Sequence, residues 1–117
     1  EGRYYRLHEA RAFPVPDPLP RIVVAGLRPA GARLAARQGD AWTCFADAFE
    51  ELHPDFMAEL ARVGRSPAEV PVVVGIEHDQ VVEPVEDLAA RWGEAGASEL
   101  VIHDVGPAEI ERILGLL

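Results

Sequence analysis

Apolar residues along this chain alternate between two patterns: short continuous runs of β-branched residues, and longer stretches with helical spacing. The first run, Ile22-Val23-Val24-Ala25, passes through Gly26-Leu27-Arg28 into a segment rich in Ala, Leu and Arg that opens with Pro29. A continuous apolar run is the mark of a strand covered on both faces, as in parallel sheets. Pro at the first helical position costs nothing, because that N–H has no partner inside the helix. The pattern therefore predicts a strand over about 21–26 and a helix over about 29–38. Ala41 to Phe45 gives a second strand. Phe49, Leu52, Phe56, Leu60 and Val63 then recur at helical spacing, predicting a helix over about 47–64 that Gly64 closes. Glu50, Glu51, Glu59 and Arg62 lie off that apolar stripe, and Ser66-Pro67-Ala68-Glu69 has the residues of a capping box for one further turn. Val70 to Ile76 reads as a third strand. Pro84, Val85, Leu88, Ala89 and Trp92 read as a third helix ending near Gly93 to Gly96. Leu100 to His103 is a fourth strand, and Pro107 opens a last helix with Ile110, Ile113, Leu114 and Leu117 on one side.

The order is thus four consecutive strand–helix units, joined by connections too short for anything but right-handed parallel crossovers. Two architectures satisfy it. One is half of a TIM-type (βα)8 barrel, with helices on one face and an inner face that needs four more strands to cover it. The other is an open, doubly wound, flavodoxin-like sheet with helices on both faces. Small residues near the strand ends (Ala25, Gly26, Ala41, Gly75) suit a crowded barrel interior and favour the first. Residues 1–20 form a separate lead-in: Pro14, Pro16, Pro18 and Pro20 forbid helix and favour an extended segment, and Gly2 to Leu7 suits a short strand or hairpin arm. The division expected is a Pro-rich lead-in over 1–20 and a (βα)4 unit over 21–117.

Composition narrows the partners. With 117 residues the chain is at most one domain. A net charge of −9, from 20 acidic against 11 basic residues, offers no field to attract nucleic acid or an anionic membrane. No apolar run approaches the ~18 residues that span a bilayer. All the bases are Arg, which reads as codon usage rather than function. The single Cys44 allows no internal disulfide, and a cytoplasmic setting is expected.

Candidate chemistry gathers where strands end. The turn Ala25-Gly26-Leu27-Arg28 leads into a helix start, where unpaired backbone N–H groups suit a phosphate; a plain strand-to-helix turn has the same composition. Trp42 and Cys44 lie on the second strand and are candidates for a pocket wall or for core. Glu77 and His78 follow the third strand, and His103 ends the fourth, all at one rim. A His beside a carboxylate can shuttle a proton near neutral pH. His8 and His53 read as surface residues. No spacing of His, Cys and carboxylates suggests a metal site.

In this order the residues resemble the luciferase-like monooxygenase superfamily, which includes flavin-dependent enzymes and enzymes using a deazaflavin coenzyme. The run IVVAGLRPAGARLAARQGDAWTCF is similar to the family's strand, small-residue loop, Ala-rich helix and following Asp. Gly2, Tyr4, Tyr5 and Leu7 match its G-x-Y-Y-x-L, Gly64-Arg65-Ser66-Pro67 its G-R-x-P, and Gly96 to His103 its G-A-x-E-L-V-x-H. Two departures stand out: Leu27-Arg28 where many members have Gly-Gly, and Ala41 in place of the usual Gly after Asp40.

The resemblance implies strands five to eight of a barrel. It also implies an oxidoreductase using reduced coenzyme F420 (the deazaflavin) or flavin mononucleotide (FMN). By the same resemblance Ala25, Gly26, Leu27 and Arg28 form the cofactor-phosphate loop, and Trp42, Cys44, Glu77, His78 and His103 are candidates for the pocket of a small-molecule substrate. The missing ring contacts would come from an N-terminal half-barrel. A chain alone in solution is expected to be inactive, and a non-catalytic half-barrel that pairs with another chain or a second copy of itself is the alternative.

Overall fold

In the computed structural model, which describes residues 4, 8–11 and 13–116, four strands alternate with four helices. The strands are β1 (Val23–Ala25), β2 (Ala41–Phe45), β3 (Val72–Glu77) and β4 (Glu99–His103). The helices are α1 (Pro29–Gln38), α2 (Ala46–Arg62), α3 (Val85–Ala95) and α4 (Pro107–Leu114), with a 3-10 turn at His78–Gln80. All strand pairs are parallel, and the order across the sheet is β1-β2-β3-β4.

Period-two alternation sorts the strand residues onto two faces. Trp42, Cys44, Val72, Val74 and Ile76 join one hydrophobic cluster with Ala32, Ala35 and Ala36 of α1, Phe49, Leu52, Phe56 and Leu60 of α2, Leu88 of α3 and Ile113 of α4. Val24, Leu100 and Ile102 pack against the same cluster. All four helices therefore cover one face. The residues in the opposite phase lie outside that cluster, and Val23, Phe45 and Val101 among them are 44%, 45% and 42% exposed. Sequential parallel order with helices on one side is the half-barrel arrangement, and it sets aside the doubly wound alternative.

Local chemistry explains the boundaries. Pro29 and Pro107 open α1 and α4 at their first turns, while Pro84 is the residue before α3. Gly64 and Gly96 sit at φ 71° and 113°, the left-handed conformation that ends α2 and α3 with little steric cost. Strand β1 is shorter than its apolar run. Ile22 spends its backbone on Asp40 and Ala41, with its N–H donating to Asp40 Oδ2 at 2.8 Å and its carbonyl accepting from both N–H groups. The predicted turn at Ser66–Glu69 forms as a capped turn rather than a helix: the Ser66 N–H donates to Glu69 Oε2 at 2.7 Å, which lowers the Glu69 pKa.

The α1–α2 contact is close because the residues that α1 buries are all Ala, and it holds one buried acid. Glu59, which helical spacing places off the apolar stripe, is 7% exposed. It accepts from Arg37 Nη1 at 2.9 Å, Arg62 Nε at 2.8 Å and Arg62 Nη2 at 2.7 Å. Arg65 closes the same seam by donating to the carbonyls of Ala36 and Gly39, each at 3.0 Å. Residues 13–20 carry neither helix nor strand. The strand or hairpin arm expected over 2–7, and Leu117 of the last helix, lie outside the described residues apart from Tyr4.

Candidate functional site

The carboxyl ends of the strands carry the site. At β1 the chain turns through Ala25-Gly26-Leu27-Arg28 into α1. Gly26 is buried against that helix: a Cβ there would stand 2.6 Å from Gly31 C and 2.7 Å from both Ala32 N and Trp42 Nε1. Its N–H donates to Thr43 O at 3.0 Å and its carbonyl accepts from Trp42 Nε1 at 3.1 Å. The turn is thus pinned at one residue and open at the next two, since Leu27 and Arg28 are exposed. The first bond of the helix is Ala32 N–H to Arg28 O, and no side chain caps its start. Among the described residues, the N–H groups of Leu27, Arg28, Ala30 and Gly31 donate to nothing. Such a quartet, with the helix dipole behind it, suits an anion.

Beside this turn lie two adjoining clefts. The larger, ≈ 340 Å³, is lined by Leu27, Phe45, Ala46, Asp47, Ala48, Gly75, Glu77 and Gln80. The smaller, ≈ 190 Å³, runs over the sheet between Ala25, Leu27, Thr43, Phe45, Gly75 and His103, and also touches Cys44. Gly75 shapes both. A Cβ at that position would come 2.5 Å from His103 Nε2 and 3.2 Å from Phe45 Cδ1, so its absence lets the imidazole lie across the strand towards the Phe45 ring, centroids 5.5 Å apart. Glu77 is the register partner of His103 on the neighbouring strand. The rim is braced by Gln80, which accepts from the Glu77 N–H and donates to Asp47 Oδ1, each at 3.0 Å.

This geometry sorts the candidates. Ala25, Leu27, Glu77 and His103 meet at the clefts. His78 is held half-buried in the 3-10 turn, its carbonyl accepting from Arg112, and it lines neither cleft. Trp42 is turned to the helical side, 0% exposed and stacked on Phe56 at 4.6 Å between centroids, so it is core and not pocket wall. Cys44 shares that phase and is 2% exposed; burial pushes its thiol up to about 11, which leaves it protonated and inert near neutral pH. His53 is half-buried too, stacked on Phe49 at 4.7 Å, and burial lowers its pKa.

Comparison with known proteins agrees with the fold. The sequence model of the family described as luciferase-like monooxygenase matches residues 1–98. The chain belongs to that family. Among curated relatives, an F420-dependent glucose-6-phosphate dehydrogenase of Mycobacterium avium (strain 104) is 38% identical over 64 residues, covering 55% of this chain and 19% of that protein. One of Intrasporangium calvum is 30% identical over 122 aligned positions, covering 97% of this chain and 36% of its own length. Among solved structures, an F420-dependent secondary alcohol dehydrogenase in complex with an F420-acetone adduct superposes with a TM-score of 0.68 at 18% identity, over 87% of this chain and 48% of that one. This member of the luciferase-like family therefore spans only a part of the length of the proteins it matches.

Two rim residues escaped the sequence reading, Asp47 and Gln80. Asp47 is the second residue of α2, two positions past the end of β2, and that placement is the available signal. Gln80 had none, because the 3-10 turn that brings it back over Glu77 leaves no periodic trace.

Proposed function

We propose that this chain supplies the cofactor-phosphate site and part of the substrate pocket of an F420-dependent oxidoreductase. The observation that carries the reading is the unpaired N–H quartet at Leu27, Arg28, Ala30 and Gly31, opening beside the clefts at the strand ends. The F420-dependent relatives support the deazaflavin over FMN. The residues present fit a phosphate: Gly26 presses the turn onto α1, and Leu27 and Arg28 leave the helix start open to solvent. Where many members have Gly-Gly, Arg28 adds a guanidinium whose charge-assisted bonds offset the stiffer backbone.

When bound, the deazaflavin supplies hydride transfer to or from an organic substrate. The chain's own residues then do three things. The N–H quartet and Arg28 hold the phosphate. Leu27 and Phe45 exclude water from the cleft floor. His103, with Glu77 on the adjacent strand, holds or moves the proton on the substrate oxygen.

The inner face, with Val23, Phe45 and Val101 exposed, is the surface that an N-terminal half-barrel covers. The same exposed face supports a second reading, a non-catalytic half-barrel closed by a second copy or another chain. Titration calorimetry decides. The complete barrel protein binds F420 more tightly than FMN, and Arg28→Ala weakens F420 about tenfold, equivalent to ~1.4 kcal/mol. The isolated 117-residue chain binds weakly at best and turns over nothing. Absence of F420 binding by the complete protein contradicts the proposal.

A further inference from the structure

We propose that Arg112 is a positioning residue of this site: from the helix after β4 it grips the turn after β3, and so fixes the Glu77 carboxylate beside His103. This rests on the proton-handling role given to that pair above. Glu77 and His103 form the last register pair of β3 and β4, and beyond it the two chains part. One enters the 3-10 turn at His78–Gln80. The other bends at Asp104, whose φ of 55° is a conformation that Asp tolerates, and enters α4 at Pro107. Past the strand ends, the sheet ladder no longer sets the spacing of these two loops.

Arg112 does. Its Nη1 donates to Val81 O at 2.6 Å and its Nη2 to His78 O, so one planar guanidinium takes the first residue of the turn and the residue that follows it. The His78 carbonyl also accepts the Val81 N–H at 3.3 Å. Among the described residues no carboxylate pairs with Arg112, so it acts as a clamp on backbone and not as half of an ion pair. The clamped turn reaches Glu77 directly: the Gln80 N–H donates to the Glu77 carboxylate, and Gln80 Oε1 accepts from the Glu77 N–H at 3.0 Å. Gln80 Nε2 ties the same turn to Asp47 Oδ1 at 3.0 Å. Arg112 itself lines neither cleft, so whatever it does for the site passes through this turn.

The test reads the His103 imidazole by NMR of the complete protein with labelled histidine, and so needs no substrate. Glu77→Gln keeps an oxygen for the Gln80 N–H while removing the charge, and it is expected to move the His103 ring nitrogen resonances in the wild-type protein. In an Arg112→Ala background the same change is expected to move them less than half as far, a coupling that a residue serving stability alone does not produce. Amide exchange at Gln80 and Val81 is expected to quicken about tenfold in Arg112→Ala, while that of Ala35 and Ala36 in α1 holds. Arg112→Lys, which keeps the charge and its donors, is expected to restore most of both effects. Should Arg112→Ala fail to fold, Arg112→Gln, which keeps a donor group on a shorter stem, is read in its place. Equal movement of His103 in the two backgrounds, no movement in the wild-type protein, or unchanged exchange at Gln80 and Val81 overturns the inference alone. Failure of the wild-type protein to bind F420, measured separately by calorimetry, overturns the functional reading and the inference with it.

Discussion

Arg21, just ahead of β1, reaches Glu99, the first residue of β4, with Nη2 3.5 Å from Oε1. These residues belong to opposite edges of the sheet. A flat sheet keeps its first and fourth strands roughly 14 Å apart. Glu99 lies in register with Val73, Val73 with Thr43, and Thr43 with Ala25, so the acid is on the helix-free face. Curling towards that face shortens the chord and lets the two side chains meet. A double-mutant cycle over Arg21→Ala and Glu99→Ala is expected to give a coupling of about 0.2–1 kcal/mol that shrinks with salt, as for exposed pairs. A coupling of zero at low salt would mean that this exposed pair adds nothing to stability.

Gly75 is the residue on which the pocket shape depends. Gly75→Ala places a methyl 2.5 Å from His103 Nε2, and the imidazole, being the end of a side chain, swings away. The expected result is a small change in melting temperature and a fall of more than tenfold in kcat/KM of the complete enzyme. An unchanged kcat/KM removes His103 from the proposed proton transfer.

Gly26 behaves differently because its neighbours are backbone. A Cβ 2.6 Å from Gly31 C and 2.7 Å from Ala32 N cannot be relieved by a rotamer change, so turn and helix must separate. Gly26→Ala is expected to destabilise by about 1–3 kcal/mol, read from the urea midpoint at constant slope. F420 affinity should drop with it.

Acid should act through Glu59. Hydrogen bonds from Arg62 and Arg37 hold its folded-state pKa at about 2, below the ordinary 4.5. A depressed carboxylate contributes stability that is complete above its unfolded pKa and is lost as pH falls through the folded one. The contribution therefore fades between about pH 4.5 and 2. Glu59→Gln should lower the melting temperature at pH 7 and flatten its decline over that window. A parallel decline in wild type and variant would assign acid sensitivity to other groups.

Much of the fold was legible because its signals are local. Pro29 and Pro107 mark helix starts, Gly64 and Gly96 helix ends, and the stripe from Phe49 to Leu60 gives α2 its buried face. What escaped was decided by tertiary contact. Glu59 reads as a surface acid until the close approach of α1, whose buried residues are all Ala, brings Arg37 within 2.9 Å. Trp42 and Cys44 are near a strand end, as any pocket residue would be, but the phase they share with Val72 and Val74 turns them to the helices. His53 becomes half-buried only when Phe49 and Gly96 enclose it. For the site, the turn at Ala25 to Arg28 and the clusters at Glu77 and at His103 were legible as strand-end chemistry, whereas the pairing of Glu77 with His103 and the role of Gly75 came only from the strand register.

In the proposed function, the start of α1 grips the cofactor phosphate at the mouth of a barrel whose later strands are β1 to β4. The direct measurement is a crystal structure of the complete protein with F420 bound. Phosphate oxygens are expected about 3 Å from the N–H groups of Leu27, Arg28, Ala30 and Gly31, with the Arg28 guanidinium alongside. A phosphate held elsewhere, with those N–H groups facing water, would contradict it.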